Sequence, residues 1–179
     1  MKKRITVHLA EGFEEIEAIS IVDVLRRADL DVLVVSVTGN LEVTGAHHIK
    51  IKADVLFEQV RYDDVFMIVL PGGMPGAANL NNHSGLEAQI KQFNSLNKPL
   101  AAICAAPFVF GNLGILEGKQ AVCYPGYEHL LKGAEVLNVQ VVESGNVITG
   151  NGPGSALKIV EKAVSIEKAD LITQQMLVH

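Results

Sequence analysis

Short, mostly apolar runs alternate along the chain with longer stretches whose apolar residues recur at helical spacing. "ITVHLA" (5–10), "DVLVVSV" (31–37), "VFMIVL" (65–70) and 100–103 read as buried strands. Between them, "EEIEAISIVDVLRRADL" (14–30) places Ile21, Val24, Leu25 and Ala28 on one helical face. The segment 83–96 does the same with Leu86, Ile90 and Phe93. "HIKIKADV" (48–55) alternates like a half-exposed hairpin strand, and "QAVCY" (120–124) predicts another short strand. "VQVVESGNVITG" (139–150) predicts a hairpin turning at Gly145-Asn146. Helices are also predicted at 105–114, at 152–164 and at 167–177.

Uniformly apolar strands separated by amphipathic helices imply a doubly wound α/β architecture: a mostly parallel sheet covered by helices on both faces. In such sheets ligands bind beyond the carboxyl ends of the strands. Three loops fall there: "EGFEE" after the first strand, "PGGMPG" after 65–70, and "CAAP" after 100–103. The chain shows no internal repeat or low-complexity linker, and its 179 residues suit one compact domain, 1–179.

Composition narrows the function classes. With 49% hydrophobic and 20% charged residues the chain is foldable rather than disordered. A net charge of -5 with no basic patch argues against nucleic acid as a partner. No apolar run approaches the roughly 18 residues of a membrane span. Lys2, Lys3 and Arg4 form a basic start, but the apolar run behind them is too short for a signal peptide, so a cytoplasmic setting is expected. Cys104 and Cys123 are too few for a disulfide framework. No residue pattern predicts a metal or cofactor site.

The remaining question is why Cys104 interrupts "PLAAICAAPFVFG". A nucleophile elbow, the sharp turn from a strand into a helix, needs small residues two before and two after its nucleophile. Ala102 and Ala106 meet that need, and Pro107 suits a first helical turn. A helix N-terminus under the sulfur predicts a pKa below the roughly 8.5 of a free thiol. These residues equally fit a small buried hydrophobe in an Ala-rich unit. Glu17 shares the inward stripe with Ile21, Val24 and Ala28, where a carboxyl needs a proton or a partner. Glu14 and Glu15 are expected to be solvated first-turn glutamates. Gly72 and Gly73 permit a tight turn whose N–H groups can face an oxyanion, though such a pair is also an ordinary turn. Cys123 is expected to pack beside the pocket.

"EGFEEIEAISIVDVLRRA", "VLPGGMPGAANL", "AAICAAP", "CYPGYE" and "GNGPGSAL", in this order, resemble the DJ-1/ThiJ/PfpI superfamily over nearly the whole chain, nearest to its small single-domain DJ-1/YajL-like branch. The resemblance implies a flavodoxin-like sandwich, a homodimer pairing through the first helix and "IKIKADV", and no cofactor. It places the reactive cysteine at Cys104, a protonated glutamate bonded to its sulfur at Glu17, and the oxyanion N–H groups at Gly73 and Ala105. Three positions depart from the pattern. Tyr124 stands where many members carry a histidine near the cysteine, Ala105 stands where the protease-like branch has one, and Asn151 stands at a frequent arginine. His129 is expected to be solvated. The end of the chain after "GPGSAL" is about one helical turn shorter than usual.

Two functions follow from the resemblance. One is cofactor-free chemistry on small reactive aldehydes or glycated substrates, of the glyoxalase or deglycase type. The other is non-catalytic oxidative sensing or redox-regulated chaperoning through the same cysteine. The missing histidine argues against a protease, and no residue supports a role in thiazole biosynthesis.

Overall fold

The computed structural model describes residues 3–163 and 165–176, and only the backbone of Val160 and Lys162. Lys2 of the basic start, and the ends of the predicted helices at 164 and 177, lie outside them. The strands are β1 (Arg4–Leu9), β2 (Asp31–Ser36), β3 (Glu42–Thr44), β4 (Lys50–Lys52), β5 (Val55–Leu56), β6 (Val65–Leu70), β7 (Leu100–Ile103), β8 (Gln120–Ala121), β9 (Glu135–Val136), β10 (Val141–Ser144) and β11 (Val147–Gly150). The helices are α1 (Glu15–Arg27), α2 (Gly76–Asn81), α3 (Ser84–Ser95), α4 (Pro107–Asn112), α5 (Ala156–Ala163) and α6 (Ile166–Met176).

Seven strands form one sheet in the order β10-β11-β7-β6-β1-β2-β5. All its pairings are parallel except β10 with β11, the predicted hairpin, in which Gly145 takes the left-handed φ of 64°. The strict two-residue period of a strand, with both faces covered, explains why the central runs are mostly apolar. In β1, Ile5, Val7 and Leu9 enter one core; in β6, Met67 and Val69 join them, while Ile68 and Leu70 enter the other. The first core is closed by α1, α5 and α6 through Ile21, Leu25, Ile159 and Ile172. The second is closed by α3 and α4 through Leu86, Ile90, Phe93 and Phe110.

Several expectations need correction. "QAVCY" gives only β8, which pairs with β9 rather than with the main sheet. Beyond it the backbone leaves the ladder: the Val122 N–H donates to Thr149 Oγ1 at 3.0 Å and the Tyr124 N–H to the Cys104 carbonyl at 2.8 Å. "IKIKADV" splits between the β3–β4 hairpin and the edge strand β5. The segment after "PGGMPG" forms α2, because Ala77 and Leu80 supply a buried face too short to be seen as a period.

β1 also buries His8 completely, with Nε2 2.8 Å from the Tyr62 hydroxyl. Burial pushes the imidazole down to about 3. A folded pKa below the unfolded 6.5 means that the unfolded chain takes up the proton first. Stability is therefore complete above pH 6.5 and falls as pH drops from there towards 3. At pH 4 the cost is about 3 kcal/mol. Urea unfolding at pH 7.5 and pH 4 should show His8→Gln losing less stability than the wild type by that amount; equal losses would mean that His8 does not set the acid limit.

Candidate active site around Cys104

The carboxyl ends of β1, β6 and β7 point to one edge of the sheet, where the loops after them meet. At the tip of β7, Cys104 adopts φ 58°, a left-handed backbone that a non-glycine residue takes at a cost of about 1–2 kcal/mol. The surroundings enforce it: the Cys104 N–H donates to the Gly150 carbonyl at 2.8 Å, and its own carbonyl accepts from Tyr124. Pro107 then opens α4. The thiol is half-buried, while Ala102, Ala105 and Ala106 are fully enclosed.

Glu17 reaches this sulfur from the first turn of α1. Its residue is only 3% exposed. Oε2 accepts the Gly72 N–H at 2.9 Å, and the carboxyl is hydrogen-bonded to Cys104. The N–H groups of Ala105 and Gly73 also point at the sulfur. The structure thus brings together Cys104, Glu17, Gly73 and Ala105. Gly72, whose N–H the sequence offers to an oxyanion, instead donates it to Glu17 and is part of the site through that contact. A Cβ there would lie 2.6 Å from Cys104 Cβ and 2.7 Å from Glu17 Oε2, so only glycine lets strand end, acid and thiol converge.

Electrostatics at the pair differ from the expectation of a depressed thiol. With Glu17 ionised, burial and then its carboxylate push Cys104 up to about 12, against the pull of the Ala105 and Gly73 N–H groups. Burial likewise raises Glu17, above the pull of its bonds to Cys104 and Gly72. A six-residue helix behind a half-buried sulfur does not overcome a neighbouring carboxylate. Both shifts oppose double ionisation of the pair.

Glu14 and Glu15 correct a second expectation. Glu14 is the N-cap of α1, its Oε2 accepting the Glu17 N–H at 2.7 Å. Glu15 is buried and grips the loop between β3 and β4: Oε1 accepts the His47 N–H at 2.7 Å, and Oε2 lies 2.8 Å from His47 Nδ1. Burial would raise this carboxyl, but the bonds from His47 and Ile49 hold it below its ordinary range. Glu14, Glu15 and His47 are the group among the described residues with three ligand-type atoms within 4.8 Å of one another. The Glu15 oxygens in that group are already engaged by the loop.

Of the other residues singled out, Tyr124 is exposed and touches Cys104 through its backbone. His129 is exposed on a turn at 128–130. Cys123 is buried, its thiol pushed up to about 11 by burial and then by the charge of Glu128. Asn151 is held by its N–H to the Gln140 carbonyl.

A flavodoxin-like α/β sheet with a cysteine strained at a strand tip defines the class of protein. The family follows from comparison. The model of the DJ-1/PfpI family matches residues 3–166, and the chain belongs to that family. Its structure is similar to the crystal structure of Drosophila melanogaster DJ-1beta, with TM-score 0.95 and 35% identity over 100% of both chains. It is 40% identical to protein DJ-1 homolog B of Arabidopsis thaliana over 93% of this chain, which spans only 40% of that longer protein. It is 29% identical to a Pyrococcus furiosus protein named deglycase PfpI, over 89% of this chain and 96% of that one.

Proposed function

We propose that residues 1–179 work as one DJ-1/PfpI unit that converts small reactive aldehydes, free or as glycation adducts, without a cofactor. The observation that carries this reading is the Cys104 sulfur, held by a strained backbone between a buried acid and two N–H donors. The deglycase name of the Pyrococcus relative supports the substrate class. The reactive state has the proton on Glu17 and the charge on sulfur. The thiolate attacks the aldehyde carbon of an α-oxoaldehyde, a C–S bond forms, and the carbonyl π electrons move to oxygen. The Gly73 and Ala105 N–H groups hold that oxyanion, and Glu17 supplies its proton. The Glu17 carboxylate then takes the proton from this carbon and returns it to the adjacent one through an enediol. Water hydrolyses the resulting thioester, so methylglyoxal plus water yields lactate and the free thiolate. Lactate formation by wild type and by Cys104→Ser tests the reading. Tyr124, placed where a histidine would assist proton transfer, favours a second reading: a peroxide-oxidised sensor or chaperone that uses the same thiol. Absence of turnover with retained oxidation to sulfinate would select it.

The protein is further proposed to be a cytoplasmic homodimer; among the described residues no helix is long and apolar enough to cross a membrane. Ile16, Ile19 and Ile49 are 63%, 49% and 54% exposed beside a groove of about 280 Å³ floored by Leu9, Val22, Val34 and Ile51. A second copy would cover this face of α1 and β4. Light scattering should give about twice 19.2 kDa. Ile19→Asp with Ile49→Asp should weaken the dimer at least ~100-fold. A wild-type monomer at micromolar concentration would contradict the assignment.

A further inference from the structure

Half-buried Asn151 links the end of β11 to the turn that opens α5, and it is the one asparagine of ten in the chain followed by glycine. Its side-chain amide therefore faces a main-chain nitrogen with no Cβ beside it. Among the described residues no hydrogen bond holds the Asn151 amide group or the N–H of Gly152, although Gly152 is buried. A Cβ built on Gly152 would meet nothing within 4 Å, so the space beside it is open. Other asparagines differ in both respects. Asn79 donates through Nδ2 to the Glu11 carbonyl at 2.8 Å, Asn112 to Asn81 at 3.0 Å and Asn146 to the Lys98 carbonyl at 3.1 Å. The residues after them are Leu80, Leu113 and Val147.

We propose that Asn151 and Gly152 form a site of spontaneous deamidation, and that its isoaspartyl product loosens the turn that holds Cys104. A base takes the Gly152 amide proton, and the freed nitrogen attacks Asn151 Cγ. A C–N bond forms, the Cγ–Nδ2 bond breaks, and the side-chain nitrogen leaves as ammonia, taking up that proton. One water then opens the cyclic imide. Opening at Cγ gives aspartate; opening at the main-chain carbonyl gives isoaspartate, with one extra carbon in the backbone. Nothing is oxidised or reduced: an amide and water become a carboxylic acid and ammonia. The extra carbon falls inside a closed loop. The Asn151 N–H and Ser155 Oγ both donate to the Gln140 carbonyl, at 3.0 and 3.3 Å, and the Ser155 N–H donates to the Gly152 carbonyl at 3.1 Å. Ser155 packs so closely on Gly150 that a Cβ there would overlap its hydroxyl. The Gly150 carbonyl in turn holds the Cys104 N–H. A longer backbone between 151 and 152 displaces Ser155, and Gly150 and the strained Cys104 turn gain freedom. None of this depends on what Cys104 acts upon.

The experiment holds the full chain at mildly alkaline pH with reductant present, separates acidic species by anion exchange and digests them for mass spectrometry. Asn151 should gain about 1 Da at least ~10-fold faster than any other asparagine, exposed Asn40 included, and faster as pH rises. An isoaspartyl methyltransferase should label the same peptide. Gly152 has φ 173°, an extended backbone open to any residue, and room for a Cβ. Gly152→Ala should therefore fold as wild type, by circular dichroism, and deamidate at least ~10-fold more slowly. Asn151→Asp reproduces the added charge without the extra carbon. Iodoacetamide labelling of Cys104 should be at least ~threefold faster in the isoaspartyl species than in Asn151→Asp, because a looser turn admits water to a half-buried thiol. Deamidation spread evenly over the asparagines, or undiminished in Gly152→Ala, would overturn the site. Equal labelling of the isoaspartyl species and Asn151→Asp would refute the coupling to Cys104.

Discussion

Cys104→Ser is expected to reduce lactate formation from methylglyoxal at least ~1,000-fold while leaving the fold intact. Serine is isosteric and adopts the same strained backbone, so the bonds to Gly150 and Tyr124 persist. What is lost is the softer and more acidic nucleophile: a hydroxyl beside Glu17, with no imidazole to take its proton, stays neutral and inert. Circular dichroism of the variant should match wild type. Retention of more than a tenth of the turnover would move the chemistry away from Cys104. Cys123→Ser serves as the internal control, because its buried thiol has no acid or oxyanion donors assigned to the reaction, and its turnover should stay within about twofold of wild type.

Glu17→Gln should separate the two duties of that residue. Glutamine keeps the size and offers an N–H to the sulfur, but it cannot carry a proton between carbons. Turnover should fall ~100- to 10,000-fold. Thiol reactivity should not fall with it. If the wild-type proton rests on Glu17, the pH profile of iodoacetamide labelling at Cys104 shifts by less than about half a unit, because one neutral donor replaces another. If Glu17 is instead ionised and holds the thiol up near 12, removing its charge drops the labelling midpoint by more than about one unit. The first outcome supports the thiolate mechanism and the second overturns it. Wild-type turnover in Glu17→Gln would dismiss Glu17 as the proton carrier.

The fold was legible because its strands are buried on both faces and its helices are amphipathic: β6 and β7 follow their apolar runs residue for residue, and α1 buries the stripe that its spacing marks. The site was partly legible. Small residues around Cys104 and an inward Glu17 are local signals, and the structure places both groups together. The contribution of Gly72 was not legible, since an N–H aimed at a residue fifty-five positions away leaves no trace in spacing. Nor was the fate of Glu15. A first-turn glutamate ordinarily faces water, and only the β3–β4 loop folding over α1 turns it into a buried anchor for His47. The expected low thiol pKa is opposed for a related reason: helix-end electrostatics can be estimated from sequence, whereas the burial and the neighbouring carboxylate that work against them are properties of the assembled layers.

The first turn of α1 has almost no freedom to drift. Glu14 caps the helix, Glu15 ties down a distant hairpin, Ile16 and Ile19 look outward to the proposed partner, and Glu17 looks inward to the thiol. Neighbouring side chains diverge by about 100° around a helix, so a single turn can serve a cap, a clamp, an interface and an acid at once. The same geometry makes those roles inseparable. A substitution that rotates or frays the turn disturbs assembly, hairpin and chemistry together, so loss of the dimer and loss of reactivity should travel as one phenotype. In a saturation scan scored for abundance and for Cys104 labelling, positions 14–17 should be intolerant on both scores, whereas the exposed positions of α6 should accept most replacements.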